Sequence, residues 1–399
     1  MTQTDLRVPF RCHRPFLLFG LAVIAVSLIL GSFSWDAFFR AYLVGYLLWS
    51  GVAFGALVLL AIHHLAGGGW GYLIRRILEA ATRTWAIVIL LFVPVLAGIP
   101  WLYAWSDAQA IRESPVLAAK QIYLNTPAFV VRAAVFFAVF VLVTILLQRT
   151  SSEQDASEDP DLVRRLQNIS GPGLLVFVLC LSFVLIDWAM SLQAEWFSTM
   201  FSPMLIVGQV VSALAVAIVT LSFVGHEETL APLLKPKYIL DLGNMFLAFL
   251  MLWAYLQFSQ LLIVWSGNLS EEIPWYLSRI EGGWQAVSLI LAILHFAVPF
   301  ALLLGRRNKS DLRVLSHIAV LVLVLRVLAS IWIVEPAFHL EGFTFQVLDW
   351  LLSLGIGGVW LAFFAGELQA MPLVPLKDPR LHGVLVRLVQ PRVGDVRYE

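Results

Sequence analysis

The sequence predicts an all-α polytopic membrane protein. Of its 399 residues, 60% are hydrophobic and only 13% are charged, and the mean hydropathy is +0.86. Apolar runs of about twenty residues, enough to cross about 30 Å of hydrocarbon as a helix, recur along the whole chain. A composition this apolar is not that of a soluble globular protein.

Hydropathy predicts ten membrane-spanning helices. Their bounds are 16–32, 38–65, 84–105, 127–147, 171–191, 203–225, 241–266, 284–305, 313–334 and 344–366. Three arginines precede the first run, which lacks a small-residue cleavage pattern, so we expect it to remain as the first span. The glycine-rich run at 66–71 lacks the strand and helix context of a phosphate loop, and we interpret it as a turn.

The distribution of basic residues predicts the orientation of the chain. With the N-terminus in the cytoplasm, nearly all loop lysines and arginines fall on the cytoplasmic side, and only Arg112, Lys120 and Arg279 fall outside. Because positive charge accumulates in cytoplasmic loops, both termini are predicted to be cytoplasmic. The outer loops are acidic, which fits either a docking surface for an extracytoplasmic partner or a plain solvated surface.

The chain is predicted to form a single integral membrane domain over residues 1–399. Residues 148–170 are polar, acidic and then basic, and are predicted to form a disordered cytoplasmic loop. This loop divides the chain between predicted helices 4 and 5. Helices 2–5 (38–147 and 171–191) and helices 6–9 (203–334) are predicted to form two four-helix bundles. Helices 1 and 10 would flank the bundles, and residues 367–399 would form a cytoplasmic tail.

Several kinds of chemistry are not indicated by the composition. The formal net charge is zero and no basic tract is present, so no nucleic-acid partner is expected. Two cysteines, Cys12 and Cys180, cannot supply a four-thiolate cluster or a zinc site. No nucleophile and base pattern indicates a hydrolase, so no catalytic or metal-binding residue is assigned. Bis-histidine haem ligation by His63 or His64 with His317 remains an alternative.

The stretch from Leu240 to Leu277 is the most informative part of the chain. It contains an apolar span in which Trp253, Gln257 and Gln260 share one helical face, while Tyr255 lies on a neighbouring face. Lipid tails cannot satisfy these polar groups. The face therefore either forms hydrogen bonds to neighbouring helices or lines a polar cavity or proton route.

Ionisable residues inside spans are costly, and each is a candidate for function. Arg132, Asp187 and Arg326 fall in the outer half of their predicted spans, and His295 falls near the midplane. These depths allow a single cluster in which Asp187 pairs with Arg326 or with Arg132. Such a pair would be either static or part of a proton route. The proton-route candidates are Asp187, Arg132, Arg326, His295, Gln257, Gln260, Ser191 and Tyr255.

Two blocks of sequence resemble a known family. Residues 187–201, DWAMSLQAEWFSTMF, resemble the corresponding block of the polysulfide-reductase-like (NrfD-type) quinol-interacting membrane subunits. Residues 251–276, from Met251 to Tyr276, more specifically resemble the ten-helix membrane subunit of alternative complex III (ActF type). The resemblance extends from about 127 to 336.

This resemblance implies a subunit, not catalytic alone, of a respiratory quinol:cytochrome c oxidoreductase in the bacterial cytoplasmic (inner) membrane. It implies two four-helix bundles, no cofactor bound in this chain, and interaction with a quinone or quinol, proton translocation, or both. The implied partners are an iron–sulfur protein, a multihaem cytochrome c and a second NrfD-type subunit, which would carry the iron–sulfur clusters and haem. By the same resemblance Asp187 would be the acid of the proton route.

Two other functions remain open. A secondary transporter usually has helices broken at the midplane, whereas the seventh predicted helix is continuous there. A purely structural membrane anchor of a redox complex would need the polar residues for assembly but not for turnover.

Overall fold

The computed structural model describes residues 13–157, 159–225, 234–339, 342–374 and 378, which form an all-α structure. Nine helical segments in these ranges are long and apolar enough to cross a membrane. A tenth is added if Gly69–Thr82 and Trp85–Ala97, which meet at a bend of 42°, count as one span. The protein is therefore an integral, multi-pass membrane protein. The prediction of an all-α polytopic fold is confirmed, while Cys12 and most of the predicted tail lie outside the described residues.

Eighteen α-helices are numbered here in chain order within the described ranges. They are α1 (His13–Gly31), α2 (Trp35–Ala66), α3 (Gly69–Thr82), α4 (Trp85–Leu90), α5 (Val93–Ala97), α6 (Ile99–Leu102), α7 (Ala108–Glu113), α8 (Pro115–Lys120), α9 (Thr126–Ala156), α10 (Asp161–Trp188), α11 (Phe201–Val224), α12 (Pro236–Gly267), α13 (Ile273–Ile280), α14 (Trp284–Ile290), α15 (Val298–Leu304), α16 (Arg306–Ser310), α17 (Leu312–Val334) and α18 (Val347–Ala370). A π-helical segment, Leu291–Ala297, joins α14 to α15. We call the end with α7, α8 and α13 the predicted outer end, and the end with α3 and α16 the predicted inner end.

Helix α2 is the centre of the fold. It is buried along nearly its whole length and contacts α3, α10, α11, α17 and α18. Helices α9 and α10 pack against each other on one side of it, and α11 packs against α12 and α17 on the other. Helix α1 packs mainly on α18, which in turn packs on α2. Helix α2 is hydrophobic all round because its neighbours cover every face, as expected for the central helix of a bundle.

Glycine allows α2 and α11 to approach closely. A Cβ atom added to Gly55 would lie 2.3 Å from the backbone oxygen of Gln209, closer than two such atoms can come. Small residues at helix interfaces are the usual means of tight packing in membranes, where no hydrophobic effect drives helices together. The position is therefore closed even to alanine.

Replacement of Gly55 by alanine is expected to destabilise the protein by about 1–3 kcal/mol, because the added methyl group overpacks the α2–α11 contact. Gly366 in α18 provides the matched control, since a Cβ atom added there would meet nothing within 4 Å. Gly366→Ala is expected to be neutral or to stabilise, because alanine favours helix. Thermal unfolding of the two variants in detergent micelles measures the difference, and equal midpoints would contradict the close approach.

The predicted disordered loop at 148–170 is wrong. Helix α9 continues to Ala156 and α10 begins at Asp161, so only a short connection separates them. The polar extension of α9 is held by tertiary contacts, since Ser151 and Gln154 are buried and accept hydrogen bonds from Arg75. Such contacts commonly override the local preference of a polar sequence.

The third predicted helix, 84–105, is not continuous. Short helices α4, α5 and α6 replace it, and two of them begin around prolines, Pro94 and Pro100, which cannot donate the backbone hydrogen bond of a continuing helix. An additional helix, α3, precedes them. The predicted turn before it is confirmed at Gly67 and Gly68, whose φ angles of 69° and 107° suit glycine.

The seventh predicted helix is confirmed as one continuous helix, α12, with bounds a few residues wider than predicted. The eighth is interrupted, because the middle of 284–305 is π-helical. A π segment inside an α-helical span is uncommon and occurs frequently at functional sites.

Candidate functional site

A cavity of about 430 Å³ lies between α11, α12, α13, the π segment and α17, with one wall reaching α2 and α10. Its volume falls in the range of small-molecule sites, roughly 300–1,000 Å³. Most of its lining is apolar or aromatic. The polar side chains that face it are Gln209, Gln257, Tyr276, Ser288, Arg326 and Ser330. An apolar cavity with a few converging polar groups is the usual form of a ligand site.

Arg326 of α17 supplies the charge of this cavity. Its side chain is buried, and its Nε donates a hydrogen bond to Ser212 Oγ over 3.1 Å. No carboxylate pairs with it within the described ranges. The terminal nitrogens are left without a protein acceptor there, and they occupy the space beside Gly208, where a Cβ atom would be 2.6 Å from Nη2. A buried cation without a counter-ion is costly, so Arg326 is suited to a ligand that offers oxygen acceptors.

Two glutamines supply further hydrogen-bonding groups. Gln209 of α11 is buried, lines the cavity, and its Oε1 has no hydrogen-bond partner in the described part of the chain. Gln257 of α12 is half-buried and lines the opposite wall. An amide can both donate and accept, so the pair can bind a carbonyl or a hydroxyl group.

The cavity reaches the surface beside α12. Phe258 and Leu261 both line it, yet their side chains are 62% and 39% exposed. They lie on a helix that is long and apolar enough to cross a membrane. In a membrane, lipid would therefore cover the exposed side chains at this position. The opening is thus suited to a ligand that is dissolved in the bilayer.

His295 lies immediately behind one wall of the cavity. It sits in the π segment, is fully buried, and neither ring nitrogen has a hydrogen-bond partner among the described residues. Its ring centroid is 4.3 Å from that of Trp253, which lines the cavity. An unpaired buried imidazole costs free energy, which is a feature typical of functional sites.

Apart from the polar residues of the cavity, a second cluster of polar residues is centred on an ion pair between α9 and α10. Arg132 Nε and Nη2 donate to Asp187 Oδ2 and Oδ1 over 2.6 and 3.0 Å, a two-point arrangement that is among the strongest in proteins. The ring of Tyr123 lies 3.9 Å from the guanidinium carbon, and burial raises the pKa of Tyr123 to about 12. The phenol is therefore neutral at physiological pH and contacts the cation through its ring face.

Ser191 anchors the end of α10 beside this pair. Its hydroxyl donates to the backbone oxygen of Asp187 and accepts a hydrogen bond from Trp105 Nε1. The Asp187 carboxylate is 1% exposed, whereas the Arg132 side chain is 21% exposed. The Asp187 carboxylate is thus buried, and its partner Arg132 is partly accessible.

The structure does not bring all the predicted residues into one cluster. Asp187 pairs with Arg132, and within the described ranges no hydrogen bond or ion pair joins it to Arg326. Equal depth along a helix does not determine which neighbouring helix a side chain faces. Arg326, Gln257 and His295 therefore gather around the cavity, while Arg132, Asp187 and Ser191 form a separate group.

The other two candidates lie outside both groups. Gln260 is buried and accepts a hydrogen bond from Ser198 Oγ over 2.7 Å, so it ties α12 to the segment before α11. Tyr255 is 65% exposed, on the face of α12 that points away from the rest of the protein, and it does not line the cavity. The interpretation that Gln260 bonds to a neighbouring segment fits this structure, and Tyr255 faces the position of lipid.

Sequence reasoning missed an ionic network at the predicted inner end. Glu79 of α3 accepts from both Arg75 and Arg76, at 2.9 and 2.6 Å. Arg75 also donates to Asp378, while Arg76 donates to Asp155. The network joins α3 to α9 and to the segment after α18. Within the described residues no group of three or more histidine, cysteine, aspartate or glutamate side chains is arranged to hold a metal ion.

Gln209 and Ser212 of α11 were also missed, although polar residues inside an apolar span are a visible signal. No protein-family model matches this sequence, and no curated protein matches it either. The fold and its apolar spans establish an all-helical, multi-pass integral membrane protein.

Proposed function

We propose that this chain is an integral membrane subunit of a respiratory quinol:cytochrome c oxidoreductase of the alternative complex III type. The single observation that carries the proposal is the cavity that opens beside α12 and holds the buried cation of Arg326, which no carboxylate in the described part of the chain pairs with. The two sequence blocks add support. The block at 187–201 contains Asp187 of the ion pair, and the block at 251–276 contains Gln257 of the cavity.

A quinone head group matches the chemistry of the cavity. Its flat ring would pack against the aromatic lining, its carbonyl oxygens would accept from Arg326 and Gln257, and its isoprenoid chain would leave between α12 and the lipid. The opening beside Phe258 and Leu261 would let the ligand enter directly from the bilayer. Quinol interaction is thus the function that this geometry supports best.

The finer architecture belongs to the same proposal. The contacts of α2 and α9 with α4 and α10, and of α11 with α12 and α17, support two four-helix groups flanked by α1 and α18. Cytoplasmic termini and a bacterial inner membrane follow from the loop charges and from the family resemblance. Iron–sulfur and haem groups would be carried by partner subunits, on the extracytoplasmic side.

Purification of the full chain from its native membrane tests this function. We expect iron–sulfur and multihaem cytochrome subunits and a second membrane subunit to accompany it, and organic extraction to release a quinone. A chain that purifies alone and releases no quinone would contradict the proposal.

The Arg132–Asp187 pair is proposed as the outer part of a proton route. Asp187 is buried, and its partner Arg132 is partly accessible from the surface, so movement of the arginine would open the carboxylate to protons. Loss of the carboxylate in Asp187→Asn is expected to lower proton release per electron at least about tenfold in the assembled complex. Proton release is measured with reconstituted vesicles and a pH-sensitive dye.

Subunit content and quinol oxidation serve as controls for Asp187→Asn. A variant that assembles poorly but releases protons normally per assembled complex would identify the pair as a structural anchor. Ser222→Ala is the matched control in α11 and should leave proton release unchanged. Within the described ranges the Ser222 hydroxyl donates only to the backbone oxygen of Val219 in its own helix.

A secondary transporter is the second candidate, because the π segment and the bent pair α3–α5 are helix interruptions of the kind that transporters use. Solute flux into liposomes that contain only this chain would favour it. Quinone binding without any such flux would favour the first proposal.

A further inference from the structure

We infer that Arg279 is a positioning residue that fixes the outer wall of the cavity and so sets its affinity for the head group of a quinone. Arg279 lies in α13, the short helix at the predicted outer end, and does not line the cavity itself. The inference rests on the proposed function, since it concerns the same cavity.

The guanidinium of Arg279 is bound to neutral groups on every side. Nε donates to the backbone oxygen of Trp332 over 3.2 Å, and Nη2 donates to that of Ile333 over 3.0 Å. Nη1 donates to the Trp275 backbone oxygen over 2.7 Å and to Gln193 Oε1 over 3.2 Å. No carboxylate pairs with Arg279 within the described ranges.

Burial makes this position costly for a charged side chain, and the contacts of the guanidinium offset part of that cost. Burial lowers the pKa of Arg279 well below its usual value, with the neighbouring Tyr276 acting in the opposite direction. Trp332 and Ile333 belong to the last turn of α17, whose carbonyl groups have no partner within the helix and attract a cation. The ring of Trp275 lies 3.7 Å from the guanidinium carbon and stabilises the charge further.

Arg279, Trp332 and Ser288 form a closed circuit of hydrogen bonds. Its guanidinium binds the Trp332 carbonyl, the Trp332 indole donates to Ser288 Oγ over 2.8 Å, and Ser288 Oγ donates to the Arg279 carbonyl over 2.8 Å. Each segment in the circuit contributes lining residues. Ser288 of α14 and Trp332 of α17 line the cavity directly, and Tyr276 of α13 does so one turn before Arg279.

The circuit therefore joins three separate walls of one cavity at one arginine. Through Gln193 the same arginine also contacts the segment that follows α10. A lysine in its place would keep the charge but would have three donors on one nitrogen, which cannot reproduce the planar fork that reaches Trp332, Ile333 and Trp275 together. Loss of the fork should let α13 move relative to α17 while the protein stays folded.

Binding of a decyl-substituted benzoquinone to the full-length chain in lipid nanodiscs tests this inference, followed by quenching of tryptophan fluorescence, since Trp253 and Trp332 line the cavity. We expect Arg279→Lys to weaken binding roughly tenfold, the effect of about one to two lost hydrogen bonds. Arg112→Lys is the matched control, because Arg112 is an exposed arginine whose side chain, among the residues that the structure describes, bonds only to the backbone of its own helix. It should bind as the unaltered chain does.

Ser288→Ala is a milder second variant, which removes one link of the circuit and leaves the guanidinium in place. If the circuit acts as one unit, the double variant should lose less quinone affinity than the product of the losses in Arg279→Lys and in Ser288→Ala. In the assembled complex, Arg279→Lys should raise the KM for quinol and leave kcat unchanged, which general destabilisation would not do.

Two outcomes would overturn the inference, and they are distinguishable. If the unaltered chain binds the benzoquinone and Arg279→Lys binds it equally well, Arg279 does not position the cavity and the proposed function stands. If the unaltered chain does not bind the benzoquinone, the proposed function fails and the inference fails with it.

Discussion

Replacement of Arg326 by glutamine is expected to weaken quinone binding by about 10- to 100-fold, the cost of losing a hydrogen bond to a charged donor in a buried site. Arg326 supplies the cation of the cavity, and among the described residues its one protein hydrogen bond runs from Nε to Ser212 Oγ. The terminal nitrogens are thus available to a ligand oxygen. Binding is measured by quenching of tryptophan fluorescence in nanodiscs.

The same substitution is expected to leave the folded state as stable as before or to stabilise it. The reason is that a buried guanidinium without a carboxylate costs free energy, and a neutral amide removes that cost. Weaker binding together with an unchanged or higher unfolding midpoint would be the signature of a residue kept for its ligand. Arg326→Lys keeps the charge but not the fork and should bind with intermediate affinity.

Arg313→Gln is the matched control for Arg326. It removes an exposed arginine in the first turn of the same helix, where the side chain forms no ion pair in the described part of the chain. Quinone affinity should be unchanged in this variant. Equal affinities of the Arg326→Gln and Arg313→Gln variants would remove Arg326 from the site.

Glu79→Gln is expected to destabilise the protein by about 3–5 kcal/mol, the cost of leaving a buried charge with too few partners. Glu79 is 1% exposed, and it accepts hydrogen bonds from Arg75, Arg76 and Ser151. The neutral amide cannot compensate two buried guanidinium groups. Chemical or thermal unfolding in detergent micelles measures the loss.

The exposed ion pair between Glu153 and Arg165 supplies the comparison for Glu79. Its two side chains are 49% and 58% exposed and 2.8 Å apart. Such pairs contribute little because water screens them, so Glu153→Gln should cost less than about 1 kcal/mol. A similar loss of unfolding free energy in both variants would mean that the buried network around Glu79 stabilises the fold no more than an exposed ion pair does.

The ionic network around Glu79 also explains why α3 and the end of α9 were not predicted correctly. Helix α3 was missed because Arg75, Arg76 and Glu79 lower its hydropathy, and the end of α9 was predicted as a loop because Gln154 and Asp155 are polar. In the structure Arg76 of α3 pairs with Glu79 and with Asp155 of α9, and Arg75 donates to Gln154 of α9. Hydropathy treats each residue alone, and so it cannot register a charge whose partner lies far away in the sequence.

The candidate site was found only in part for a related reason. Intramembrane polarity identified Arg326, Gln257 and His295, which the structure brings to the same cavity or immediately behind it. It also identified Asp187, which pairs with Arg132 in a different group. Gln209 carried the same signal and was overlooked, whereas Arg279 lies between two predicted spans, where the sequence offers no reason to expect burial.

The sequence by itself determined that this is a membrane protein with many apolar helices, and it predicted the position of each polar side chain along its helix. Both follow from hydropathy and from the fixed rise of about 1.5 Å per residue. Only the tertiary structure decided which helices are neighbours and which faces meet. The cavity at Arg326 and the hydrogen-bond circuit around Arg279 depend on those contacts, because helix rotation and packing are set by side chains far apart in the chain.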